Sequence, residues 1–215
     1  MDFTFDVRPV GPLRMNAVLV TSPGSGEAVL IDPGDEPAQL LAWVKASGCR
    51  VTALLATHGH FDHVGAAAEV GAALGLPLRC HPDDAPMIRQ MPLIQEGYGF
   101  PATAVPTLVT DLVDGARVPL GDGFIEVVHV PGHAMGEVMF VLPGLAIVGD
   151  CLFAGSVGRT DLPGSSWDTL LASIGTLLAE LPPETVVYPG HGPATTLGRE
   201  LATNPFLNEL RAEQP

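Results

Sequence analysis

The chain has 215 residues, of which 47% are hydrophobic and 16% charged, and its formal net charge at pH 7 is −14. This length and composition predict one sizeable domain, residues 1–215, and argue against intrinsic disorder. Nucleic-acid binding depends on basic patches, and the ten basic residues form no basic run, so we expect no nucleic-acid partner.

Three features predict the cellular location. The first twenty residues lack a basic segment followed by a long apolar one, so we expect no secretory signal. No apolar run reaches the roughly 18 residues that cross a bilayer, so we expect no membrane partner. The cysteines, Cys49, Cys80 and Cys151, are odd in number and widely spaced, which fits a reducing cytoplasm.

In the first half of the chain, strand and helix patterns alternate. Asp35 is predicted to cap a helix that Gly48 ends. Residues 87–106 have weak periodicity and predict either a surface helix with a loop or a flap over a pocket. The other predicted elements are a hairpin (17–20 and 28–31), a strand (51–56), an Ala-rich helix (64–74) and a strand (77–80).

In the second half, strands dominate. Ser165 or Ser166 is predicted to cap an amphipathic helix, and a short helix is predicted at the C-terminus. This order of elements predicts two sheets packed face to face with helices outside, an α+β architecture. The predicted strands are 117–120, 124–130, 138–142, 145–148 and 185–188.

The segment Thr57–His63 is the most informative one. It places four potential metal ligands within six residues, between a buried strand and a helix. Imidazole and carboxylate together suit zinc, iron or manganese. A tight turn at Gly59 lets the first two histidines point the same way, whereas the last two ligand types can point toward a second ion. The four residues are His58, His60, Asp62 and His63.

Four candidate ligands share a position, because each follows the end of an apolar run by one to three residues. They are His58, His133, Asp150 and His191. Strands that end in this way would deliver their ligands to one edge of a sandwich.

Four other residues with suitable side chains are interpreted as supporting residues. His129 lies inside a strand pattern and His81 precedes a proline, so both are predicted to be structural or to support a ligand. Asp32 is either the hydrogen-bond partner of a metal-bound histidine or a turn-forming residue before proline. Cys151 is predicted to lie in the core, because neighbouring residues of an extended chain point in opposite directions.

The chain resembles the metallo-β-lactamase superfamily, and within it the small glyoxalase II-like hydrolases. The Thr57–His63 motif is highly specific to the superfamily. The segment from Gly158 to Gly164 narrows the resemblance to glyoxalase II-like enzymes and their persulfide dioxygenase relatives. The segments that carry the resemblance are 31–34, 57–63, 129–133, 149–153, 158–164, 189–192 and 204–206.

The resemblance implies a four-layer αββα sandwich and two metal sites. The first site is implied to consist of His58, His60 and His133, and the second of Asp62, His63 and His191, with Asp150 bridging both. Zinc is favoured, with iron and manganese as alternatives. The chain ends soon after His191, so we expect the C-terminal helical domain that binds glutathione in full-length glyoxalase II to be absent. True β-lactamases usually lack the bridging aspartate, so Asp150 argues against that activity.

The predicted function is hydrolysis of a thioester or related ester, such as an S-2-hydroxyacyl thiol, by a hydroxide that bridges two metal ions. Asp62 and Asp150 are the carboxylate ligands that help to hold this nucleophile. Two divalent ions outweigh the negative charges of these groups, which favours a small anionic substrate. The alternative is a persulfide dioxygenase with one iron held by His58, His133 and Asp150.

Overall fold

The computed structural model describes residues 3–212, so the predicted domain, residues 1–215, extends beyond the described residues at both ends. Six strands form the first sheet and lie side by side in sequence order. They are β1 (Thr4–Val10), β2 (Met15–Ser22), β3 (Glu27–Ile31), β4 (Arg50–Leu55), β5 (Leu78–Arg79) and β6 (Leu108–Val109). The first three strands are antiparallel, whereas β3 to β6 run parallel.

The later strands are β7 (Arg117–Leu120), β8 (Gly123–His129), β9 (Val138–Leu142), β10 (Leu145–Ile147), β11 (Leu152–Phe153), β12 (Ser156–Val157), β13 (Val186–Tyr188) and β14 (Thr195–Thr196). Six of them form the second sheet, in the order β14-β13-β10-β9-β8-β7, while β11 and β12 pair separately. Strands β10 and β13 are parallel, and the other neighbours are antiparallel.

Seven α-helices and two short 3₁₀ helices are interspersed with the strands along residues 3–212. They are α1 (Pro37–Ser47), α2 (Phe61–Val64), α3 (Ala67–Leu74), α4 (Ala85–Gly97), α5 (Trp167–Glu180), α6 (Leu197–Thr203) and α7 (Asn208–Ala212), with 3₁₀ helices at Pro82–Asp84 and Pro205–Leu207. Within residues 3–212, none of the helices combines the length and apolar composition that crossing a bilayer requires.

The side chains of β2 alternate between two apolar interfaces, as the period of an extended strand demands. Ala17 and Leu19 pack in a cluster that includes Leu40 of α1. Val18 and Val20 pack instead in a cluster with residues of the second sheet. Helices therefore cover one face of the first sheet, and the second sheet covers the other.

The second sheet divides its side chains in the same way. Phe140 of β9 lies in the cluster between the sheets, whereas its neighbour Met139 packs with Leu170 and Ile174 of α5. Three apolar interfaces separate four layers, so the predicted αββα sandwich is confirmed.

Two predicted element boundaries are wrong. Glu36, rather than Asp35, occupies the N-cap position of α1, and its side chain makes no capping hydrogen bond. Asp35 Oδ1 instead accepts the N–H of Glu36 at 2.6 Å. The predicted helix 64–74 is divided into α2 and α3, because the Ala66 N–H donates outside the helix, to the carbonyl of Pro33 at 3.0 Å. The other predicted elements are confirmed, with shifts of one or two residues at their ends.

Candidate metal centre

The structure brings the seven predicted ligands together from both sheets. Four of the seven residues lie in the segment that follows β4 of the first sheet and continues into α2. The others follow β8, β10 and β13 of the second sheet. The seven residues are His58, His60, Asp62, His63, His133, Asp150 and His191.

The first group consists of three histidines. His58 Nε2 and His133 Nε2 each lie 2.9 Å from His60 Nδ1. The three ring planes are nearly perpendicular to one another, at 82° to 87°. Three ring nitrogens thus face one point, as the ligands of a single ion would.

The second group consists of Asp62, His63 and His191. His191 Nε2 lies 3.1 Å from Asp62 Oδ2, and one potential ligand atom from each residue lies within 4.8 Å of the others. His63 is fully buried, whereas Asp62 and His191 are partly exposed, so this group lies at the accessible side of the centre.

Asp150 lies between the two groups. Its Oδ1 is 3.4 Å from His63 Nε2, and its Oδ2 is 3.6 Å from His133 Nε2 and 3.7 Å from His191 Nε2. A Cβ at Gly190 would overlap both Asp150 Oδ1 and the His63 ring, so glycine is needed where the chain passes the centre. The two oxygens of one carboxylate are placed to serve both groups.

Four of the five histidines turn their Nδ1 atoms outward to an acceptor. The acceptors are Thr57 Oγ1 for His58 (3.1 Å), Asp32 Oδ2 for His63 (2.9 Å), Arg159 O for His133 (2.8 Å) and Leu13 O for His191 (3.1 Å). Because each acceptor requires a proton on Nδ1, we assign the tautomer with a free lone pair on Nε2. Those lone pairs point into the centre, which is how proteins orient metal-bound histidines.

Asp32 holds the ring of His63 and the turn that follows β4. Its carboxylate accepts the N–H and the hydroxyl of Thr57, both at 2.7 Å, in addition to the His63 ring. Asp32 also has a left-handed backbone, with φ of 53°, a conformation that aspartate tolerates better than most residues. The hydrogen bond to His63 agrees with the predicted partner role, whereas within residues 3–212 the side chain makes no hydrogen bond that would form a turn before Pro33.

Burial and neighbouring charges divide the histidines into two kinds. Burial lowers the pKa of His58 well below its ordinary value and that of His60 to about 4. Burial acts in the same direction on His63, but the carboxylates of Asp150 and Asp32 outweigh it and raise its pKa. Neutral imidazole is the form that binds metals, and the negative field around His63 favours a cation.

The centre fits a bound metal on the evidence of two buried atoms. Within residues 3–212, His63 Nε2 and Asp150 Oδ1 are buried side-chain atoms with no hydrogen-bond partner. Burying such atoms without a partner is costly. A cation between them would satisfy both, since each offers a lone pair.

The supporting residues also have defined places. Cys151 is buried in the cluster under α5, as predicted, and burial raises the pKa of its thiol. His81 and His129 lie outside the centre and stack on each other with their ring centroids 4.2 Å apart. Their predicted supporting role stays a prediction.

Sequence reasoning missed two buried carboxylates that hold the main chain of the centre. Glu137 Oε1 accepts the N–H of Asp150 at 2.7 Å. Asp84 accepts the N–H groups of Gly59 and Gly136 at 2.8 Å and 2.7 Å. No spacing or motif marks these residues, because their burial depends on how distant segments pack. Their one signal is an acidic side chain near a ligand motif, which is common on surfaces.

A cavity of about 610 Å³ lies beside Asp62. Gln95 near the end of α4 and the following loop line it. The predicted helix with a loop is therefore present, and the flap stays a prediction. The ring of Phe100 in this loop packs on Phe61 with a centroid distance of 5.1 Å. Lining residues include Leu13, Asp35, Phe61, Glu69, Gln95 and Phe100.

Comparison with known proteins decides the family. A family model described as the metallo-beta-lactamase superfamily matches residues 10–191. The chain belongs to this superfamily. The predicted resemblance is therefore confirmed, and the seven side chains are candidate ligands of a metallo-hydrolase.

Three similar proteins illustrate the range of the superfamily. "Hydroxyacylglutathione hydrolase GloC" of Haemophilus influenzae is 34% identical over 94% of this chain and 97% of its own length. The structure of TTHA1623 in a di-iron-bound form is 47% identical, with a TM-score of 0.86, over 94% of this chain and 100% of that one. The BLEG-1 B3 metallo-beta-lactamase is 36% identical, with a TM-score of 0.86, over 95% of this chain and 100% of that one.

Proposed function

We propose that this superfamily member is a dinuclear-metal hydrolase that cleaves a thioester or a related ester, such as an S-2-hydroxyacyl thiol. The outward hydrogen bonds of four imidazole rings carry this proposal. They direct four Nε2 lone pairs toward two carboxylates in a buried centre. Without cations, the Nε2 lone pairs would face the carboxylate lone pairs directly, and the two would repel each other.

The donor atoms divide naturally between two ions. His58, His60 and His133 would hold the first ion, and Asp62, His63 and His191 would hold the second. Asp150 would contribute one oxygen to each, which supports its role as the bridge. Nitrogen and oxygen donors favour zinc, with iron and manganese as alternatives.

Divalent ions in this centre would act as Lewis acids and lower the pKa of a bound water to about 7. The chain's own residues supply orientation and charge. Asp32 fixes the tautomer and direction of His63, and it increases the basicity of the ring. Asp62 and Asp150 supply the negative charge that offsets two close cations.

The charges around the centre favour a substrate with one anionic end. Two divalent ions outweigh Asp62 and Asp150, so the centre itself attracts an anion. The neighbouring cavity carries Asp35 and Glu69 among apolar side chains, so it suits an uncharged part of the substrate. The similar protein GloC is named a hydroxyacylglutathione hydrolase, which supports a thioester of a 2-hydroxy acid.

We also propose a cellular location and a class of partner for the protein. The three free, widely spaced cysteines support a cytoplasmic enzyme, and the scattered basic residues support a small-molecule substrate rather than a nucleic-acid partner. We expect no membrane partner either. The persulfide dioxygenase alternative needs only His58, His133 and Asp150. It leaves Asp62 and His191, which lie 3.1 Å apart, without a role.

A substrate panel tests the proposal. Protein loaded separately with zinc, iron and manganese is mixed with S-2-hydroxyacyl thioesters, simple esters, a β-lactam and a glutathione persulfide, while product and oxygen consumption are measured. We expect thioester cleavage without oxygen uptake. Oxygen-dependent persulfide oxidation by the iron form alone, or β-lactam cleavage as the dominant activity, would overturn it.

A further inference from the structure

A buried carboxylate outside the predicted ligand set contacts the main chain on two sides of the first histidine group. Asp84, which precedes α4, is only 1% exposed. Its Oδ2 accepts the N–H of Gly59 at 2.8 Å, and its Oδ1 accepts the N–H of Gly136 at 2.7 Å. Gly59 separates His58 from His60, so the first bond holds the turn that carries two ligands.

The second bond holds the loop that carries the third ligand of the same group. This loop runs from His133 to β9 of the second sheet, whereas the Gly59 turn follows β4 of the first sheet. At the other end of the two segments, the Val138 N–H donates to Thr57 O at 2.8 Å. A main-chain bond and the Asp84 carboxylate together fix the spacing between the segments.

We propose that Asp84 is a positioning residue for the first metal ion, and that it acts through the main chain of Gly59 and Gly136. This inference rests on the metal assignment of the proposed function. A carboxylate accepts with both oxygens and matches two N–H donors. An amide matches only one donor and presents its own NH₂ to the other.

The close fit around Asp84 supports this role. A Cβ at Gly136 would approach Asp84 Cγ to 2.8 Å and Oδ1 to 2.9 Å, so glycine permits the contact. Burial raises the pKa of Asp84, and the two N–H groups offset part of that effect. The fold therefore keeps a costly buried carboxyl group at the one place where it joins the two segments.

Asn16 of β2 provides a matched control for the second group. Its side-chain amide donates to Pro189 O at 3.0 Å and to Gly192 O at 2.9 Å, on either side of His191. Glu200 controls for the loss of a buried carboxylate elsewhere. It is 1% exposed and accepts the Gly155 N–H at 2.8 Å, outside the histidine cluster.

The experiment measures Co²⁺ affinity by absorption titration in two single-site backgrounds. His191→Ala leaves the first histidine group intact, and His60→Ala leaves the second. In the His191→Ala background, we expect Asp84→Asn to weaken Co²⁺ binding about 10- to 100-fold. In the His60→Ala background, we expect a change of less than about twofold, because Asp84 does not hold that group.

The control variants should either weaken Co²⁺ binding in the other background or leave the Co²⁺ affinity unchanged. Asn16→Ala should weaken Co²⁺ only in the His60→Ala background, and Glu200→Gln should leave both affinities unchanged. Gly136→Ala keeps the Asp84 charge but separates it from the loop, and it should reproduce the selective loss. It also carries the test if Asp84→Asn does not fold, which the melting temperature of the metal-free protein will show.

Equal losses in both backgrounds, no loss in the His191→Ala background, or the same loss with Glu200→Gln would overturn the positioning role alone. Failure of both backgrounds and of the unsubstituted protein to bind Co²⁺ would overturn the proposed function and this inference together.

Discussion

Two clusters of histidines in this protein have similarly short distances between their ring nitrogens, but their rings are oriented differently. In the metal centre, the rings of His58, His60 and His133 meet at 82° to 87°. His81 and His129 instead stack with an interplanar angle of 8°. Their ring nitrogens and an Asp83 oxygen lie within 4.8 Å of one another, so distance alone would make this another metal site, outside the centre.

The direction of the lone pairs separates the two groups. An imidazole nitrogen binds a metal in the plane of its ring, and two stacked parallel rings cannot share one ion in both planes. His81 Nδ1 also accepts the Asp83 N–H at 3.2 Å, whereas four of the five histidines in the centre donate outward from Nδ1. A metal site thus depends on outward hydrogen bonds that aim the rings, not on the number of nearby ligand types.

Among the variants that test this comparison, Asp150→Asn is expected to have the largest effect on metal content and activity. The amide keeps the shape of the side chain, but it is a poor bridge between two cations. We expect a folded protein with fewer than two metal ions and a thioesterase rate reduced about 100-fold or more. Metal analysis and the rate decide it, since retention of two ions with a near-normal rate would mean that Asp150 only caps the turn after β10.

Removing one ligand from each group should have a smaller and divided effect. We expect His60→Ala to lose affinity for the first ion and His63→Ala to lose chiefly the second, because the groups share only the Asp150 bridge. Titration with metal followed by elemental analysis measures this. If both variants lose the same ion, the division of the ligands into two groups is wrong.

The smallest effect is expected from His81→Ala, which disrupts the stacked pair. The variant should keep both metal ions and activity within about twofold, and it should lose about 1 kcal/mol of folding stability through lost packing. Metal content and denaturant unfolding test this. A variant that loses metal would place His81 in the ligand set.

The clustering of the candidate ligands was predictable because local sequence determines much of their geometry. The Thr57–His63 motif lies between a strand and a helix, and His133, Asp150 and His191 each follow a strand, so sheet topology alone brings them together. The fold followed from alternating apolar residues in strands such as β2, whose two faces meet different layers.

The supporting contacts were not predictable, because they join segments that are distant in sequence. Asp84 and Gly136 meet only when α4 packs beside the loop before β9. Strand β1 escaped prediction because its residues are largely exposed and it is held by pairing with β2 rather than by an apolar pattern. The boundary at Ala66 likewise depends on a bond to Pro33, more than thirty residues earlier.

The number of metal ions that supports activity tests the central claim most directly. Metal-free protein is titrated with zinc, and in parallel with iron, while bound metal and thioester hydrolysis are followed together. We predict that activity rises until about two ions are bound per chain, since the seven ligands form two groups joined by Asp150. Activity that saturates at one iron per chain, with oxygen consumption, would contradict the dinuclear hydrolase.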